Sequence, residues 1–127
     1  MSDPIKHECG IALLRLKQPL EYYLEKYGSA LWGLNKMHLL MEKQHNRGQD
    51  GAGIANIKLD MQPGERYISR SRSVQKNPTQ DIFDQINAKF KAIYDENPEK
   101  LKDVAFLKQN AGFTGEVFLG HLRYGTY

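Results

Sequence analysis

Apolar residues change period several times along this chain, and each change marks an element. Residues 10–16 read GIALLRL, a mostly apolar run that predicts a first strand with Cys9 at its leading end. Pro19 suits the first turn of a short helix and Gly28 its end. Ser29 is placed to cap the next helix. There Leu31, Leu34, Met37 or His38, and Met41 recur at three- and four-residue steps, giving an apolar face of the core-packing kind. This helix is expected to end near Asn46, where Arg47-Gly48 begins a turn.

Gly51 and Gly53 lead into a second strand over 54–59, and 65–72 predicts a third. Met61-Gln62-Pro63-Gly64 lies between them as the turn. A hairpin makes the sheet at least partly antiparallel. Asn77-Pro78-Thr79-Gln80 is a helix start, with Asn77 as cap, Pro78 in the first turn and Gln80 reaching back in a capping box. Ile82, Ile86, Phe90 and Ile93 follow at helical spacing, with Phe83 and Tyr94 beside them. Asn97-Pro98 stops this helix and starts another carrying Leu101, Val104 and Leu107. Residues 110–115 predict a turn. Residues 116–124 predict a last strand, with His121 and Arg123 on one face and Leu122 and Tyr124 on the other. The order is that of an α+β protein. Two weaknesses are expected: fraying of the last strand near Arg123 and Thr126, and partial exposure of the Ile82–Ile93 face, which favours self-association.

Composition narrows the class. A chain of 127 residues, 40% hydrophobic and 26% charged, fits one globular domain. No run approaches the roughly 20 apolar residues of a membrane span, and residues 1–8 lack the apolar core of a signal peptide. A cytoplasmic protein without a membrane partner is expected. Net charge is +3. Arg66, Arg70, Arg72 and Lys76 form a basic stretch that reads as a solvated strand face. No aromatic stacking platform accompanies it, so no nucleic-acid partner is expected. His7, His38, His45 and His121 lack zinc-site spacing with the lone cysteine, so no metal is expected. One cysteine forms no internal disulfide and cannot ligate an iron–sulfur cluster.

Three segments carry candidate chemistry: His7-Glu8-Cys9-Gly10-Ile11, Asn46-Arg47-Gly48-Gln49-Asp50-Gly51-Ala52-Gly53, and Gly120-His121-Leu122-Arg123-Tyr124-Gly125-Thr126. A lone cysteine is most often a small buried hydrophobe. As a chain's first residue it gains a base of its own, because an α-amine titrates near 8 and can take the thiol proton. That role requires removal of residues 1–8. Gly10 would let a substrate approach the backbone. Arg123 offers a planar fork suited to a carboxylate, and Thr126 adds a hydroxyl nearby; a salt bridge within the sheet is the structural alternative for Arg123. His121 and Tyr124 read as supports. Arg47, Gly48 and Asp50 read either as a lock on the nucleophile's strand or as a plain helix C-terminus, where a cation is favourable anyway.

In this order the segments resemble the glutaminase domain of amidophosphoribosyltransferases, and more broadly class II glutamine amidotransferases. Cys9-Gly10-Ile11 matches the family's first mark. His45 to Gly53 matches the second, with Asn46 as an apparent insertion, and Gly120 to Thr126 matches the third in full. The resemblance covers nearly the whole chain, with 75–115 particular to this branch. It implies an N-terminal-nucleophile hydrolase fold, an αββα sandwich seen here truncated. Residues 1–8 would be a propeptide-like leader, and 9–127 the N-terminal part of the glutaminase domain. It further implies that Cys9 attacks glutamine, that Arg123 and Thr126 hold the glutamine backbone groups, and that Arg47 supports the nucleophile loop. Ammonia would pass to a phosphoribosyltransferase domain absent from this chain, where phosphoribosyl pyrophosphate and magnesium bind. The full enzyme would be a homo-oligomer. The family's oxyanion Asn-Gly pair and a substrate-binding aspartate fall beyond Tyr127, so residues 1–127 alone are expected not to turn over glutamine. The alternatives are another class II amidotransferase, of the glucosamine-phosphate synthase or asparagine synthetase type, and a non-catalytic binding module in which Cys9 is structural.

Overall fold

The computed structural model describes residues 9–44 and 50–123, with Cys9 described by its main chain. Four strands and four α-helices form a mixed α+β fold: β1 Cys9–Arg15, α1 Leu20–Tyr27, α2 Trp32–Lys43, β2 Gly51–Ile57, β3 Ile68–Ser73, α3 Pro78–Glu96, α4 Val104–Asn110 and β4 Val117–Arg123. The sheet order is β1-β4-β2-β3, and every pairing is antiparallel. The last strand therefore lies inside the sheet, between β1 and β2.

Both long helices pack on one face of this sheet, α2 over β1 and β4, α3 over β2 and β3. The expected stripe on α2 is the reason. Leu34, Met37 and Met41 are fully buried, each worth about 1.5–3 kcal/mol against exposure. Met37 takes the core position, while His38 lies flat on Phe83 with ring centroids 4.1 Å apart. Ile82, Phe83, Ile86 and Phe90 of α3 are buried as well. The expected exposure of that face is thus overturned: the sheet and α2 cover it, leaving Ile93 at its margin.

The uncovered apolar surface is on the other side of the sheet. Ile11 is 73% exposed and Leu13 64%, and Leu119 stands beside Leu13 in the ladder. The face away from the helices is open.

Local signals held unevenly. Gly28 ends α1 at φ 81°, a left-handed position that favours glycine. Ser29 does not cap α2; its hydroxyl accepts the Leu31 N–H one turn earlier, and Leu31 occupies the cap position. Pro78 sits in the first turn of α3 as expected, but Asn77 makes no side-chain cap bond. Gln80 turns outward to Asp84, so no capping box forms. The segment after Asn97 is split: a 3₁₀ turn over Pro98–Lys102 ends at Asp103, whose carboxylate caps α4 through the Phe106 N–H. β3 begins at Ile68 rather than 65, and its buried face is serine rather than apolar. Ser69 accepts the Phe113 N–H and Ser73 donates to Asp81 at 2.6 Å. Arg123 has ladder partners on both sides, Cys9 in β1 and Gly51 in β2; Thr126, where fraying was also expected, lies outside the described residues.

Candidate active site

The antiparallel register brings the described parts of the three motif segments to one end of the sheet. Cys9 pairs with Arg123 across β1 and β4, and Arg123 pairs with Gly51 across β4 and β2. The Asp50 N–H donates to the Arg123 carbonyl at 2.8 Å. Segments 42 and 114 residues apart from Cys9 thus share one lateral row. Arg47, Gly48, Tyr124 and Thr126 fall outside the described residues, so the expected lock by Arg47 and the carboxylate clamp with Thr126 do too. Asp50 is tied in by its main chain, and to β4 rather than to β1.

Behind the first row the open face continues in order. Ile11, His121, Gly53 and Arg72 form the second row, and Leu13, Leu119, Ala55 and Arg70 the third. The glycines and alanine of β2 leave a trough of about 1260 Å³. Hydrophobic side chains and His121 line one bank, and Arg66, Arg70 and Arg72 the other. Among the described residues none of these arginines, nor Arg123, lies within ion-pair distance of a carboxylate. The structural alternative for Arg123, a salt bridge in the sheet, is therefore not formed among them. Arg70 and Arg72 are solvated, as expected, and they also give the trough a positive bank. The signal was legible as alternation: Arg70 and Arg72 point away from the face that Ser69 and Ser73 bury.

Gly10 has a different role from the one expected. A Cβ there would collide with the Gln44 side chain, whose amide donates to the Ile11 carbonyl at 2.8 Å. Gly10 makes room for the end of α2. Gly120 does the same one strand over, beneath Met37 and Met41. Gln44 was not singled out from sequence, because a glutamine at a helix end carries no pattern. It is nonetheless the described side chain that joins α2 to the strand bearing Cys9.

Among the described residues, no group of three or more His, Cys, Asp or Glu side chains could hold a metal ion, and no helix is long and apolar enough to cross a membrane. Comparison with protein-family models, curated proteins and solved structures finds no match to this chain.

Proposed function

We propose that this chain is the N-terminal part of a class II glutaminase, supplying ammonia to an amidophosphoribosyltransferase. The observation that carries the reading is the lateral row of Cys9, Arg123 and Gly51. The described parts of the three motif segments, around Cys9, Gly51 and Arg123, lie at one end of the sheet. The open face adds support. Exposed Ile11, Leu13 and Leu119 suit the inner surface of a two-sheet sandwich, in which helices cover only the outer faces.

In this reading residues 1–8 are removed and the freed α-amine of Cys9 takes the thiol proton. The sulfur attacks the side-chain amide carbon of glutamine, and the carbonyl becomes an oxyanion. Collapse breaks the carbon–nitrogen bond, the amine's proton passes to the leaving nitrogen, and ammonia departs. Water, deprotonated by the same amine, then cleaves the thioester and releases glutamate with the thiol restored. Arg123 holds the substrate α-carboxylate, with Thr126 beside it. Phosphoribosyl pyrophosphate and magnesium belong to the acceptor domain.

The uninterrupted gene product tests this. Glutamine should support phosphoribosylamine formation, and Cys9→Ala should abolish that while leaving ammonia-dependent synthesis intact. A glutamine-active Cys9→Ala protein would make Cys9 structural. Ammonia transfer to another acceptor would reassign the chain within the class II amidotransferases.

A further inference from the structure

A second basic cleft opens beside the edge strand β3, between it, α3 and the turn after α4, and shares Arg66 and Arg70 with the bank of the trough. Its volume is about 480 Å³, within the range of small-molecule sites. Lys58, Arg66, Arg70 and Lys89 line it together with Phe90 and Phe113, and no carboxylate is among its lining residues.

Lys58 makes the cleft unusual. The residue is only 8% exposed, yet among the described residues no carboxylate is within ion-pair distance of its ammonium. One N–H goes to the Lys108 carbonyl at 2.6 Å, near the C-terminal end of α4. Lys108 offers no relief, because its own ammonium is neutralised by Glu116. Glu65 acts on Lys58 only from beyond ion-pair contact. Burial first, then Lys108 and Arg66, push the Lys58 pKa below its ordinary value. A buried cation normally has a counter-ion. Here further cations surround it instead.

We propose that this cleft binds a phosphate group, carried by a small molecule whose apolar or ring portion packs towards Phe90 and Phe113. Lys58 is the buried anchor, and Arg66, Arg70 and Lys89 close around the anion from the rim. A dianion supplies the compensation that Lys58 lacks, through charge-assisted hydrogen bonds. The site is separate from the Cys9–Arg123 row and does not depend on the glutaminase reading.

Calorimetric titration of the 127-residue chain with inorganic phosphate, adenosine 5′-monophosphate and adenosine tests the proposal. Saturable binding of phosphate, or of the monophosphate, is expected, with adenosine inert. Phosphate binding as tightly as the monophosphate points to the free ion as ligand; a tighter monophosphate points to a phosphate ester. Lys58→Met should weaken binding about tenfold or more, the loss of a charged hydrogen bond. Lys89→Gln, at an exposed position and so safe for folding, should weaken it several-fold. Lys91→Gln, the same charge change one residue on, should leave it unaltered. No saturable binding of either phosphate compound would overturn the proposal. So would equal losses in Lys89→Gln and Lys91→Gln, or Lys58→Met that folds and binds as before; Lys58 would then be only a cap on α4.

Discussion

Arg123 stands directly opposite Cys9 in the β1–β4 ladder, and its carbonyl also receives the Asp50 N–H at 2.8 Å. Arg123 thus sits on an interior strand with a ladder partner on each side, its carbonyl bonded towards β2. Its side chain is exposed on the open face and has no ion-pair partner among the described residues. A backbone held this firmly under an unpaired guanidinium suits a ligand-binding position, because little further ordering is required on binding.

Arg123→Lys therefore tests recognition without disturbing the sheet. On the glutaminase reading proposed above, the KM for glutamine should rise about tenfold or more, since an ammonium replaces a bidentate fork. Ammonia-dependent synthesis should be unchanged. Steady-state kinetics with each nitrogen source decide the matter; parallel loss of both activities would make Arg123 structural.

Processing is the second test. Cleavage between Glu8 and Cys9 should precede activity, because an acylated amine cannot take the thiol proton. Intact mass and N-terminal sequencing of the active enzyme should show Cys9 as the first residue. A fully active protein that retains Met1 would remove the amine from the mechanism.

Elements whose apolar residues repeat over several turns were legible in the sequence. The α2 and α3 stripes survive as buried faces because burial enforces the period. Strand β3 was blurred because its buried face is serine, and hydroxyl groups signal neither core nor surface. The Ser29 cap failed because its hydroxyl takes the Leu31 N–H instead, and Asn77 makes no side-chain cap bond. Strand order was the larger gap. That β4 runs between β1 and β2 follows from long-range pairing, and only this order turns three separate motifs into one row. Gly10 shows the converse case, a motif residue whose role emerges only once α2 ends above it.

Two glycines separate close packing that can yield from packing that cannot. At Gly115 an added Cβ meets the main chain of Ile57 and Lys58, where the Glu116 N–H bonds the Ile57 carbonyl at 3.0 Å. Gly115→Ala should cost about 3 kcal/mol, in the range of overpacked cores. Gly10→Ala meets only the Gln44 side chain, which can rotate aside, and should cost about 1 kcal/mol, on the order of one hydrogen bond. Urea unfolding of both variants checks the ranking, and equal costs would contradict it.

Asp81 links α3 to β3 in a way that acid should undo. Hydrogen bonds from Ser73 first, then Gln85, hold its pKa below the ordinary 3.8. A carboxylate depressed by folding contributes stability above its unfolded pKa and loses it as pH falls through the folded value. Stability of the wild-type chain should therefore decline below about pH 4 partly through this group. In Ser73→Ala the Asp81 pKa should rise towards 3.8 in a carbon-detected NMR titration. An unchanged value would mean the Ser73 bond does not hold the charge.

Glu116 opens β4 as a nearly buried carboxylate with two partners. One oxygen accepts the Leu59 N–H at 2.9 Å and the other the Lys108 ammonium at 2.6 Å. Lys108 in turn donates to the Leu59 carbonyl at 2.8 Å, so the pair clamps the end of the β2 hairpin to α4. Removing one member leaves the other charged and desolvated. Lys108→Met should cost about 3–5 kcal/mol, the usual range for breaking a buried pair. Adding Glu116→Gln removes the orphaned charge and keeps an acceptor for Leu59, so the double variant should regain much of that loss. Urea denaturation of wild type, both single variants and the double variant gives the coupling directly. A Lys108→Met protein within about 1 kcal/mol of wild type would place the pair in the class of solvated surface bridges, despite its burial.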